Sequence, residues 1–266
     1  TTARSVGLVV GPFQRWKDPL AQRIKGYYLQ PRRCILIGKD GNKRKAPHID
    51  RQESIGRALG ILREGVSYIS EWLHIDFPFS EAKHVFVSGL KERYYPFGGL
   101  VLLKEEMIGP ISVPLEDSPG NVRLASAEGM LHGWVQTALR LRQIKERWLH
   151  HGIAGFLLET FLDNKLGRDV VQARLWRLME AVICKDSEEG GVSIHPPDAD
   201  IYLPEAIESG TVRLTRLKST LIMLMLRASI GRDAMQAALR SFLDTLPISK
   251  VVFDANKKVG KEKVIR

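Results

Sequence analysis

Residues 127–161 constrain this chain more than any other stretch: AEGMLHGWVQTALRLRQIKERWLHHGIAGFLLETF. Glu128 and His132 stand four apart, so on a helix they share one face. His151 follows in a second helical run that starts at Trp148. A carboxylate and two imidazoles at this spacing are compatible with a divalent metal such as zinc. The bland alternative makes His132 and His151 hydrogen-bonded residues of a packed interior. A general base beside such a centre would be a carboxylate or an imidazole, and the residue after Glu128 is Gly129, which is neither.

With 266 residues the chain can bury a substantial core, and 44% apolar and 26% charged residues fit a soluble globular protein. The longest apolar run, 221–226, falls far short of the ~20 residues of a membrane span, and no apolar signal-peptide core opens the sequence. Cys34 and Cys184 are too far apart in sequence to suggest a disulfide scaffold, which favours a reducing compartment. The net charge of +10 suggests a polyanionic partner or an acidic neighbouring subunit, against the alternative of a merely solvated basic surface.

In chain order, 6–13 and 34–37 read as strands, followed by a basic loop over 39–45. Lys39, Lys43, Arg44 and Lys45 could contact phosphates there, displacing condensed counterions; a solvated hairpin tip is the alternative. Apolar residues at Ile55, Leu59, Leu62, Val66, Ile69 and Leu73 predict an amphipathic helix over 53–74, followed by a strand at 83–87. Residues 110–120 read as a connecting loop, and 124–142 as a helix whose core face carries Leu124, Leu131, Val135, Ala138 and Leu141. Helices are predicted over 148–166, 169–184, 214–229 and 232–246, with an acidic loop at 185–191. The basic tail ends with Lys257, Lys258, Lys261, Lys263 and Arg266, further candidates for phosphate contact.

The 127–161 stretch resembles the gluzincin aminopeptidase signature H-E-x-x-H, eighteen residues, E, with its W-L-N-E-G-F-A-like segment. Trp148 to Phe156 matches that segment and sets His151 at the third metal ligand. The family spacing then puts His132 at the second ligand, Glu128 at the first and Gly129 at the general base. Gly99, Leu100, Val101, Lys104 and Glu105 resemble the segment after the family's G-A-M-E-N motif, which places Pro96 where a glutamate holds the substrate amino terminus. Lys218 to Leu224 resembles a later family helix and puts Arg216 at the oxyanion-stabilising tyrosine. The resemblance thus implies the fold with three catalytic positions lost.

Segments 9–13 with Asp18 and Pro19, 83–87, 147–155 and 190–196 are together similar to the aminopeptidase-like TBP-associated factor subunit of TFIID. The fold this implies is α+β and mostly helical, a thermolysin-like aminopeptidase catalytic-type domain with a small sheet followed by a helical bundle. The expected organisation is a mixed sheet and helix subdomain at 1–120, a helical subdomain at 121–246 and a basic tail at 247–266. The implied function is a nuclear, non-catalytic scaffold that contacts core-promoter DNA, TBP and other TBP-associated factors in transcription initiation. No cofactor, metal, membrane or small-molecule substrate is expected. The alternatives are a degenerate aminopeptidase-like module of another complex and an atypical zinc metalloaminopeptidase using a permuted set of Glu128, His132 and His151.

Overall fold

The computed structural model describes residues 13–17, 24–29, 35–37, 43–45, 51–108, 122–139, 146–188, 191, 193–194 and 211–245. The order of elements is β1 (Phe13–Lys17), β2 (Ile24–Leu29), β3 (Ile35–Ile37), β4 (Lys43–Lys45), α1 (Arg51–Leu73), β5 (Ala82–Val87), β6 (Tyr94–Phe97) and β7 (Leu100–Lys104). A short 3-10 turn, Glu105–Met107, precedes α2 (Val122–Ala138), α3 (Arg147–Leu166), α4 (Arg168–Glu188), α5 (Thr211–Ile230) and α6 (Arg232–Asp244). The fold is α+β and mostly helical.

Five strands form a mixed sheet in the order β1-β2-β5-β7-β6, and β3 pairs with β4 in a separate ladder. β2, β5 and β7 run parallel to one another, while the edge strands β1 and β6 are antiparallel to β2 and β7. The central strands carry the apolar residues that such a position requires: Val85, Phe86, Val101 and Leu103 are buried. Residues 43–45, expected in a basic loop, instead form the strand β4, with Lys43 opposite Ile37 and Lys45 opposite Ile35.

By its contacts the chain falls into two units, 1–64 with 80–130 and 65–79 with 131–266. Both α1 and α2 run from one unit into the other. This division assigns 65–79 to the helical unit and 122–130 to the sheet unit, whereas a cut at 120/121 would separate them the other way.

The predicted apolar stripe of α1 is buried at Ile55, Leu59, Leu62, Ile69 and Leu73. The helix stops at His74, which takes φ 55 while Ile75 N–H returns to the Ser70 carbonyl; this is the left-handed helix end usually given to glycine. Helices α2 and α3 differ from the one-faced expectation. From Leu124 to Val135 every residue but Glu128 is buried, and α3 is buried continuously from His150 to Leu162. A helix without an exposed face belongs inside the fold.

In the second unit α3 packs most closely on α5. A Cβ added to Gly155 would stand 1.9 Å from Thr220 Oγ1, and one on Gly152 3.0 Å from the Ser219 carbonyl oxygen. Residues 185–188, expected in a loop, continue α4, and Asp186 pairs there with Lys218 of α5. Gln236 and Arg240 of α6 both donate to the Trp72 carbonyl at the end of α1, at 2.9 and 2.7 Å.

Candidate functional site

The residues singled out in α2 divide between the two units. In the sheet unit Glu128 is mostly buried and accepts a hydrogen bond from Arg93 Nη2 at 3.1 Å. The guanidinium provides the positive charge that a carboxylate in that position needs. One residue on, Gly129 lies directly against the sheet: an added Cβ would meet Val101 Cγ1 at 2.6 Å and Tyr94 Cδ2 at 3.2 Å. The position therefore has no space for a methyl group, and a glutamate side chain is excluded by the same contact. Pro96 lies on the edge strand β6 opposite Val101. An edge is where a strand tolerates a residue without an N–H.

Beneath α2, His84 of β5 is completely buried. Its Nε2 lies 3.4 Å from the Ser126 carbonyl oxygen, and its Nδ1 has no hydrogen-bond partner. Burial lowers its pKa to about 4, against a smaller opposing effect from that carbonyl.

In the helical unit His132 and His151 are both buried, and their rings meet at 65° with centroids 5.2 Å apart. Trp134 packs edge to face on Phe77 at 5.2 Å, one side of a small aromatic cluster that includes Phe79. The neighbouring His150 points elsewhere and donates through Nε2 to the Leu139 carbonyl, 2.5 Å away, at the end of α2. His151 Nδ1 has no hydrogen-bond partner. Burial holds the pKa of His151 well below the usual histidine value, and the charges of His132, Arg216, Arg147 and His150 depress it further. Arg216, on α5, thus acts on His151 as a positive charge.

The residues do not fit a metal. Glu128 is engaged by Arg93, and the positive charges of Arg216 and Arg147 act on His151. Among the described residues no three of His, Cys, Asp and Glu converge where an ion could sit.

Of the basic residues, Lys43, Arg44 and Lys45 form β4. Lys39, Lys257, Lys258, Lys261 and Lys263 lie outside the described residues, as do 6–12, Leu141, all of 110–120 and most of 190–196. Cys184 is exposed and free. No described helix is long and apolar enough to cross a membrane. Arg93, His84 and His150, which bond to Glu128, the Ser126 carbonyl and the Leu139 carbonyl, were not singled out by sequence. Arg93 stands 35 residues from its partner, too far for a spacing rule to connect them.

No protein-family model matches the chain, and none of the curated proteins does. Among solved structures the chain is similar to the crystal structure of Legionella pneumophila aminopeptidase A in complex with aspartic acid, with a TM-score of 0.60 and 16% identity. That match covers 88% of this chain and 24% of the aminopeptidase, so the chain spans about a quarter of its length. The class that follows is a distant aminopeptidase-like fold.

Proposed function

We propose that the chain is a non-catalytic scaffold subunit of the general transcription factor TFIID, working in the nucleus and contacting core-promoter DNA, TBP and other TBP-associated factors. The observation that carries the non-catalytic part is the packing of Gly129 on Val101 and Tyr94. At the general-base position helix and sheet approach too closely for any side chain, and Arg93 occupies the carboxylate of Glu128 beside it. Water activation then has neither a base nor a free first ligand. The TFIID assignment rests on the ordered segments similar to the aminopeptidase-like TBP-associated factor, and the net charge of +10 suits a partner rich in phosphate.

Affinity purification of the endogenous, tagged protein tests this reading. TBP and its associated factors should co-purify in stoichiometric amounts. A different stable set of subunits would assign the chain to another assembly as a degenerate aminopeptidase-like module. Chelator-sensitive release of amino acids from aminoacyl reporter substrates would make it an atypical zinc metalloaminopeptidase and overturn both.

A further inference from the structure

In the helical unit α3, α4 and α5 pack pairwise, and their contacts fix the directions in which they run. Gly152 of α3 meets Met223 and Ser219 of α5, and four residues on the Phe156 ring centre lies 6.0 Å from Arg227 Cζ, so α3 and α5 run parallel. Glu159, further along α3, accepts a hydrogen bond at 3.1 Å from Arg174 Nε in the first half of α4. Asp186, in the last turn of α4, pairs with Lys218 in the first half of α5. Helix α4 therefore runs antiparallel to both, and its Trp176 lies level with the second half of α5.

Counted in helical turns from the Asp186–Lys218 pair, Ile183, Met179 and Trp176 follow back along α4, and Ile222, Met225 and Leu226 follow forward along α5. Each set occupies one side of its helix, so the two rows flank the same seam. All six side chains are exposed, Trp176 at 72%, Met225 at 67% and Ile183 at 61%. Together they leave roughly 700 Å2 of mostly apolar surface in water, more than the largest patch on a typical monomer and close to the ~800 Å2 that each partner gives to a stable interface.

The charge around this surface selects its occupant. The chain carries +10 overall, yet α4 has four basic and four acidic residues and no net charge. Two copies that repel each other elsewhere can therefore meet at α4. On the α5 side of the seam, Lys218 is already neutralised by Asp186. We propose that the α4–α5 face is the contact between two copies of this chain, related by a two-fold axis beside α4 with Trp176 near its centre. A two-fold contact is self-complementary, so the Trp176 of each copy lies on the apolar rows of the other. Tryptophan in the middle of an interface is also the side chain that most often dominates its energetics. The scaffold reading requires no self-association, and each can fail without the other.

Sedimentation equilibrium of the purified full chain tests this. Dimers are expected at micromolar concentrations, with Trp176→Glu and Met225→Glu each weakening dimerisation at least about tenfold, since a two-fold contact receives every substitution twice. Phe97→Glu, at an exposed position of the sheet unit, should leave it unchanged. Because Trp176 and Met225 are exposed, thermal melts of their variants should match the wild type; should one variant unfold, the other decides. A wild-type chain that stays monomeric up to about 0.1 mM would overturn the proposal, as would a dimer that neither folded variant weakens. A monomeric chain whose Trp176→Glu variant loses one particular subunit in a pull-down would overturn it in favour of a different protein on this face.

Discussion

Histidine 84 shows how a single buried side chain sets the pH range in which the sheet unit is stable. Its pKa is about 4 in the folded chain and near 6.5 when unfolded. Below 6.5 the unfolded state takes up a proton that the folded state refuses, so stability falls as pH falls. Between pH 6.5 and 4 this one residue should remove about 3 kcal/mol, and His84→Leu should flatten that part of a urea-denaturation profile. An unchanged profile would show that acid acts elsewhere, for instance at His151. At Gly129 the sequence shows a glycine inside a helix, but not why the fold requires one. Val101 and Tyr94 come from other strands, and only the folded chain shows that they fill the space.

Among the elements, the pair α3 and α5 depends on two glycines whose role is packing. Gly155→Ala would drive a methyl group into Thr220 and should cost about 1–3 kcal/mol. Gly60, in α1, has nothing within 4 Å of the added Cβ, and Gly60→Ala should instead stabilise by about 0.5–1 kcal/mol. Thermal or chemical denaturation of the two variants should shift in opposite directions. The amphipathic α1 was readable because its apolar positions recur along one face. The burial on every side of α2 over 124–135, Glu128 excepted, and of α3 over 150–162 was not, because a stretch enclosed on all sides has no polar stripe to give the repeat contrast. The extension of α4 to Glu188 was missed for a related reason: its last turn is charged and looks like a loop, yet Asp186 is held by Lys218.

For the molecule as a whole, the sheet followed by helices was legible because strands and helices differ in period, and a solved aminopeptidase shares the fold. The partition into two units was not, because it cuts through α1 and α2, where the sequence shows no break. If DNA is bound through phosphates, the logarithm of affinity should fall linearly with the logarithm of salt concentration. Replacing Lys43, Arg44 and Lys45 by alanine should reduce the slope by up to about three units. An unchanged slope together with lost subunits in a pull-down would assign these charges to protein partners. The closure at Gly129 also bears on how this chain could change. Placing a carboxylate there would take two coordinated mutations, a glutamate at 129 and a smaller residue at 101, since the first alone collides with the sheet and the second alone leaves a void. Gly129→Glu should therefore unfold the sheet unit, and Val101→Ala in the same chain should restore part of its stability. Each single change is disfavoured, so a carboxylate reaches this face of the sheet only when both residues change together.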